Sequence, residues 1–472
     1  MNSATDISEI GEGLNPKRWL ALALLGTAQF MLILDVTVVA IALPQIGTDL
    51  SLSREALTWV VAAYTLTFGG LMLLGGRSAD LYGAKPLVFA GLVAFTAGSL
   101  TAGLAENAEW LLGGRVAQGV GAAMLSPAAL SVVIRLFVGD ERNRALGIWS
   151  ALGGGGAAVG VLLGGLITAG PGWPWVFFIN IPVGLIVLIG LLRVLPPLPP
   201  ARTPQSSLDV LGALLVTAAT GSAIYSLTVA GETGWTSRET VAAAGTAVVL
   251  YLLFTWRQRT ASSPLMKLSL LGRRPVGAGV FVIMIGTALM VAVFFLGTFY
   301  FQQSAGHGPL TTGLLFLPIA LATMAGANLV GRLIGRLGAR ALGASGMIVA
   351  AIGLLVPAVW STTLATTIGV SFSAFGIGAL FVVASATALG QIGPEEAGIA
   401  SGLLSTFHEF GASVGVATAS SVAAISLVAD GNNTGFQQAF LFTSVAAAVA
   451  AAISAFAIPP RPAPTKMNGH PR

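Results

Sequence analysis

Residues 19–43 read WLALALLGTAQFMLILDVTVVAIAL, 25 residues with one ionisable side chain, Asp35. At ~1.5 Å per residue such a helix rises roughly 37 Å, enough to cross a ~30 Å hydrocarbon core with some tilt. A carboxylate at that depth costs several kcal/mol unless it faces other helices or water. It is either a hydrogen-bonded packing residue or a proton or cation site inside a transporter.

Composition sets the class. The 472 residues are 55% hydrophobic and only 9% charged, against about 25% charged in soluble domains, and mean hydropathy is +0.86. The expected fold is an all-α polytopic membrane protein. With no cysteine, disulfides, thiol catalysis and thiolate metal sites are excluded. His307, His408 and His470 are too scattered for a metal cluster. The first sixteen residues are polar and carry Asp6, Glu9 and Glu12, unlike the basic start of a secretory signal, so the first helix is expected to be retained.

Apolar segments mark 14 candidate helices, near 19–43, 57–75, 86–105, 110–134, 146–169, 173–195, 208–229, 240–256, 275–301, 312–330, 342–360, 364–389, 398–427 and 437–458. An even number puts both termini on one side. If that side is the cytoplasm, twenty of the 23 lysines and arginines lie inside, Arg54 and Arg238 lie outside, and Arg115 is intramembrane. This positive-inside bias places the chain in the cytoplasmic (inner) membrane, and the net charge of +5 then needs no nucleic-acid partner.

Two internal echoes divide the chain. Gly76-Arg77-Ser78-Ala79-Asp80-Leu81-Tyr82-Gly83-Ala84-Lys85 returns as Gly331-Arg332-Leu333-Ile334-Gly335-Arg336-Leu337-Gly338-Ala339-Arg340, both reading as a loop. Gly156-Ala157-Ala158-Val159-Gly160-Val161 returns as Gly411-Ala412-Ser413-Val414-Gly415-Val416. Both displacements are 255 residues, as parallel repeats of one six-helix unit require. Residues 1–195 are expected to form an N-terminal lobe (helices 1–6), 196–258 an inserted pair (helices 7–8), and 259–472 a C-terminal lobe (helices 9–14) with its tail. The run Pro196-Pro197-Leu198-Pro199-Pro200 closes the first lobe, since consecutive prolines cannot continue a helix.

Four stretches carry a resemblance. Leu34-Asp35-Val36-Thr37-Val38-Val39-Ala40-Ile41-Ala42-Leu43-Pro44 resembles the first-helix signature of the fourteen-helix drug:proton antiporters of the major facilitator superfamily, with Ala40 at a position usually Asn. Gly76 to Lys85 is similar to the superfamily's loop motif, keeping Gly76, Asp80, Gly83 and Lys85 but placing Leu81 and Ala84 at commonly basic positions. Leu111 to Ala123 matches the fourth-helix motif, and Gly156 to Gly165 the antiporter motif of helix five, with Val161 replacing Pro. The resemblance implies a proton-coupled exporter in which Asp35 and Arg115 act together.

Depth supports that pairing independently. Asp35 lies roughly 12 Å below Leu43 and Arg115 about 8 Å below Trp110, so the two charges share a level. Burial and a nearby Arg act oppositely on a carboxyl, and an Arg that comes and goes would make Asp35 take and release a proton. Snorkelling to the outer interface is the other reading of Arg115. Glu409, beside His408, is the second deep acid, a candidate for a second proton, for cationic cargo, or for a pairing with His408 or Asn328. Phe294, Phe295, Phe299, Tyr300 and Phe301 either line an amphiphile pocket, with Phe295 and Phe299 at its centre, or pack. Asp80 is expected to pair with Arg142 or Arg144 as a cytoplasmic lock. The stripes Gly156, Gly160, Gly164 and Gly411, Gly415 allow close helix approach and sliding.

The reading is a secondary active exporter of small amphipathic organic compounds, drugs or antibiotics, in exchange for protons by alternating access. It is expected to be a monomer in the lipid bilayer, without cofactor or metal. No Walker-type sequence occurs, so ATP hydrolysis is not expected. A proton-coupled transporter of one defined metabolite, and a receptor that has lost transport, are the alternatives.

Overall fold

The computed structural model describes residues 17–196, 208–266, 268–390, 394–424 and 434–460. Residues 197–202 of the proline-rich linker lie outside these, as do Lys267, Arg461, Lys466 and Arg472. Among the described residues the long elements are all helices: α1 Arg18–Asp49, α2 Arg54–Tyr82, α3 Ala84–Gly103, α4 Ala108–Leu136, α5 Gly139–Ala169, α6 Pro174–Val194, α7 Val210–Thr233 and α8 Arg238–Thr260. They continue as α9 Arg274–Phe299, α10 Pro309–Leu337, α11 Ala339–Val359, α12 Thr363–Leu389, α13 Pro394–Val422 and α14 Thr434–Ala457. A π-helical turn, Tyr300–Ser304, extends α9, and α6 is broken at Ile179. Twelve are long and apolar enough to cross a membrane.

Local chemistry sets the helix ends. Ser53 and Asn107 cap α2 and α4 by accepting from the backbone N–H of Ala56 and Trp110. The stretch Gly76 to Lys85, read above as a loop, is largely helical: α2 continues to Tyr82, and only Gly83 separates it from α3. The echo behaves identically, with Gly338 alone between α10 and α11. Both glycines have positive φ, 98° and 79°, a conformation a Cβ disfavours. Nothing earlier in either stretch breaks a helix, so helix persists to the turn. Pro44, Pro127, Pro318 and Pro357 likewise lie inside helices, tolerated where packed neighbours satisfy the backbone.

The packing repeats. In the first six helices α1 packs on α4, α5 and α6, α2 on α3 and α4, and α3 on α4 and α6. Adding eight to each number gives contacts that also exist: α9 on α12, α13 and α14, α10 on α11 and α12, α11 on α12 and α14. Between the sets, α2 meets α13 and α5 meets α10, and these pairs are themselves counterparts. Helix α7 lies against both α2 and α13, and α8 packs on α7.

The glycine stripes face inward within each set. A Cβ at Gly156 would sit 2.7 Å from the Ile33 side chain, and Gly160 and Gly164 meet Thr37 and Val38, all on α1. Gly411 and Gly415 press on the Met284 and Ala288 carbonyls of α9. The adjacent stripe of α5 makes the crossing instead, where a Cβ on Gly313 of α10 would lie 2.6 Å from the Val161 carbonyl oxygen. Neighbouring helical residues point ~100° apart, so one helix serves both seams.

Close contacts between the sets gather at the end carrying the α1–α2 turn. There Thr65 and Ser413 share a 2.6 Å hydrogen bond, Thr58 donates to Ser420 at 2.7 Å, and Gln302 donates to the Ile41 carbonyl at 2.8 Å. Toward the other end of α10, Gly331 and Gly335 have nothing within 4 Å of a Cβ position. Gly411→Leu is therefore expected to lower the melting temperature in detergent, at a cost on the order of 1–3 kcal/mol, while Gly331→Leu leaves it unchanged. Equal melting temperatures would contradict the close α9–α13 packing.

Candidate functional site

Asp35 is 1% exposed, and so is Arg115. The Asp35 Oδ2 accepts from Arg115 Nη1, forming an ion pair between α1 and α4. Its Oδ1 accepts from Gln118 Nε2 at 2.8 Å and from Asn180 Nδ2 at 3.2 Å. Ser99 Oγ, from α3, accepts from the same two amides at 2.8 and 3.2 Å. Arg115 is held from three further directions: Nε donates to the Val60 carbonyl at 2.8 Å, Nη1 to Gln118 Oε1 at 2.8 Å, and the guanidinium carbon lies 4.4 Å from the centre of the Tyr64 ring. Five helices of the first set thus converge on one carboxylate.

The sequence places these groups by simple means. Gln118 follows Arg115 by three residues and so shares its face of α4. Asn180 begins the second segment of α6, just past the break at Ile179. Ser99, Gln118, Asn180 and Tyr64 are all buried. Leaving any of these polar groups unpaired would cost roughly 1–3 kcal/mol, so the cluster is self-consistent only as a whole. Three donors and no acceptor face the Asp35 carboxylate.

Ser99, Gln118, Asn180 and Tyr64 were not singled out from sequence. Gln118 stood inside the fourth-helix motif as a neutral neighbour of Arg115. Asn180 is the lone amide between Phe177-Phe178-Ile179 and Ile181-Pro182-Val183, an isolated polar residue in an apolar run, which is the signal that could have found it.

Other expected site residues are more scattered. Glu409 on α13 faces Gly69 of α2, where a Cβ would lie 2.6 Å from its own. Its carboxylate has no hydrogen-bond or ion-pair partner among the described residues. His408 turns the other way, with Nδ1 2.9 Å from Thr287 Oγ1 and its ring beside Phe381. Asn328 is exposed on α10 and donates to the Met324 carbonyl of its own helix at 3.0 Å. Neither residue pairs with Glu409. Phe295 and Phe299 are fully buried, their ring centres 4.9 Å apart, and lie in the apolar core instead of bordering an open cavity.

The expected cytoplasmic lock is not formed in this conformation. Asp80 has no hydrogen-bond or ion-pair partner among the described residues. Arg142 donates to the Phe137 carbonyl at 2.9 Å, and Arg144 lies 5.4 Å from the Trp19 ring centre. The acid paired near them is Glu141, which takes Arg18 in a bidentate contact at 2.9 and 3.0 Å. Lys85 Nζ donates to the Leu195 carbonyl at the end of α6 at 2.6 Å, a favourable place for a cation. Gly76 packs on Pro127 of α4, and Gly83 serves the turn between α2 and α3. No group of three or more His, Cys, Asp or Glu that could hold a metal occurs among the described residues.

Residues 25–416 match the family model described as Major Facilitator Superfamily. The chain is 35% identical to the puromycin resistance protein of Streptomyces alboniger, the match covering 87% of this chain and 83% of that one. It is 36% identical to the cephamycin export protein of Amycolatopsis lactamdurans, covering 84% and 83%. It is 31% identical to the tetracenomycin C resistance and export protein of Streptomyces glaucescens, covering 86% and 76%. Among solved structures, a POT family transporter in complex with a thioalcohol-conjugated peptide superposes with TM-score 0.67 over 92% of this chain and 94% of that one, at 12% identity. That likeness concerns the fold.

Removing one partner of a buried pair leaves the other charge uncompensated, typically at about 3–5 kcal/mol, whereas removing both costs much less. Arg115→Met is thus expected to lower thermal stability in detergent sharply, and Arg115→Met with Asp35→Asn to recover most of the loss. Additive losses in that cycle would contradict the pairing.

Proposed function

We propose, for a chain that belongs to the Major Facilitator Superfamily, secondary active export of amphipathic organic compounds in exchange for protons, with Asp35 as the protonation site and Arg115 as its switch. The observation that carries this is the buried Asp35–Arg115 pair in a cluster drawn from five helices. The relatives named for puromycin, cephamycin and tetracenomycin C support export of an antibiotic-like solute. Each of those names specifies one compound, which favours, as a second reading, a transporter of one defined metabolite.

In this reading α5 and α13 also cross the membrane, giving fourteen crossings with both termini in the cytoplasm of the inner membrane. Residues 1–195 and 259–472 are pseudo-symmetric lobes, the paired helices of 196–258 are an insertion, and the chain works as a monomer in the bilayer. The α1–α2 end is then the outer face. Its seam is closed by Thr58–Ser420 and Thr65–Ser413, while Asp80 on the cytoplasmic side has no partner among the described residues, which supports an inward-facing reading. The intact Asp35–Arg115 contact suits a carrier that has released its proton to the cytoplasm. In the outward-facing state Arg115 moves off and Asp35 reloads.

The driving force sets what Glu409 adds. One inward proton supplies ~2.3 kcal/mol per 100 mV and about 1.4 kcal/mol per pH unit. Exporting a neutral solute uses both terms, enough for a gradient of several hundred-fold. Exchanging one proton for one monovalent cation cancels the electrical term and leaves only about tenfold per pH unit. A second acid, Glu409, part-buried beside α2 and without a partner among the described residues, would matter most for cationic cargo.

The test is flux in vesicles reconstituted with the full chain. An imposed pH gradient is expected to drive substrate accumulation in the wild type and to fail in Asp35→Asn, which keeps only downhill exchange. Undiminished pH-driven accumulation in Asp35→Asn would sink the assignment.

A further inference from the structure

Arg54 was placed outside by the topology count and given no role, yet it is 6% exposed and hydrogen-bonded between three helices. It opens α2, where its charge opposes the positive end of the helix dipole, so partners elsewhere must stabilise it. Nη1 donates to Ser420 Oγ of α13 at 3.2 Å, and Nη2 to the Thr228 carbonyl of α7 at 2.7 Å. Nη2 also pairs with Glu232 Oε1 of α7 at 3.0 Å. Ser420 accepts at the same time from Thr58. One guanidinium therefore ties the first helix set, the second set and the inserted pair together at a single point of the seam.

The surroundings make α7 part of that seam. Gly70 of α2 lies against Thr217, and a Cβ on Gly231 would be 2.7 Å from the Ser421 carbonyl oxygen of α13. Helix α7 is thus wedged along the crease between the two helices that carry the contact. If α2 and α13 part at this end, the hydroxyls of Thr58 and Ser420 can turn to water or to their own helices, but Arg54 loses a partner on one side or the other.

We infer that Arg54 is the outer-gate residue of this transporter, and that α7 of the inserted pair is its keeper: Glu232 and the Thr228 carbonyl hold the guanidinium in place so that it can engage Ser420 of α13 whenever the outer side closes. Arg54 is a positioning residue, acting on which way the cavity faces and not on cargo or proton. The inference rests on the alternating-access reading above, and it assigns the inserted helices a part in gating.

The chain lacks cysteine, so spin labels at Ser51→Cys and Thr311→Cys, exposed positions at the α1–α2 end of the two helix sets, report the outer opening by electron–electron distance measurements in lipid nanodiscs. The labelled parent is expected to show closed and open populations. Arg54→Met should lower the closed-to-open ratio at least about tenfold, given a largely buried charge. Glu232→Gln should lower it about two- to fivefold, its side chain being 45% exposed. Arg54→Lys should recover part of the loss. An unchanged ratio in Glu232→Gln together with Arg54→Met or Arg54→Lys overturns the inference, and Glu232→Gln decides alone should the Arg54 variants fail to fold. Two populations in the parent uphold alternating access in either case, whereas a single population in every variant would overturn both.

Discussion

A carboxylate and a guanidinium, each 1% exposed, meet inside a protein built almost entirely of apolar helices. Neither could stay there alone, because an unpaired charge in such surroundings is destabilising by several kcal/mol. Together they fix the approach of α1 and α4, and the amides of Gln118 and Asn180 extend the constraint to α3 and α6 through Ser99. Helix packing in lipid has no hydrophobic drive of its own and relies on close contact and hydrogen bonds. A polar cluster shared by five helices accordingly ties them to one arrangement, and a shift of any one helix breaks part of it.

The remainder of the fold divides rigid contacts from separable ones. Glycine stripes bring α5 onto α1 and α13 onto α9 with no room for a methyl group. The seam between the sets combines glycine contacts, such as Gly313 on the Val161 carbonyl, with hydroxyl pairs such as Thr65–Ser413 and with Arg54. Hydroxyls can return to their own helical carbonyls when separated; the Oγ1 atoms of Thr58 and Thr65 already lie 3.1 and 3.2 Å from the Arg54 and Val61 carbonyl oxygens of α2. The hydroxyls of the seam can part without being stranded, whereas the glycine contacts cannot slide far before van der Waals contact is lost.

Much of this was legible in the sequence because charges are scarce in it. Asp35 and Arg115 stood out as lone ionisable groups in apolar runs, and their depths alone put them at one level. The repeats were legible because both echoes share one displacement. What escaped had physical reasons. Gly76 to Lys85 read as a loop from its polarity, yet helices extend past an apolar span until a residue such as Gly83 turns them. Phe295 and Phe299 satisfy a pocket wall and a packed core equally well in sequence. Arg54 looked like a surface charge because its partners, Ser420 and Glu232, are 366 and 178 positions away, and periodicity within one helix carries no trace of them. Asp80 was matched in sequence with Arg142 and Arg144, but Arg142 donates to the Phe137 carbonyl and Arg144 lies over the Trp19 ring.

The central claim is that closing the outer seam and pairing Asp35 with Arg115 belong to the same state. Thr65→Cys with Ser413→Cys, in an otherwise cysteine-free chain, replaces the 2.6 Å hydroxyl contact by a disulfide that locks this seam. Infrared difference spectroscopy, comparing the locked chain with and without Asp35→Asn, then isolates the carboxyl band of Asp35. The expected result is that the carboxyl band of Asp35 is absent while the disulfide is intact and appears once it is reduced. A band that is the same in the locked and reduced chains would contradict the account.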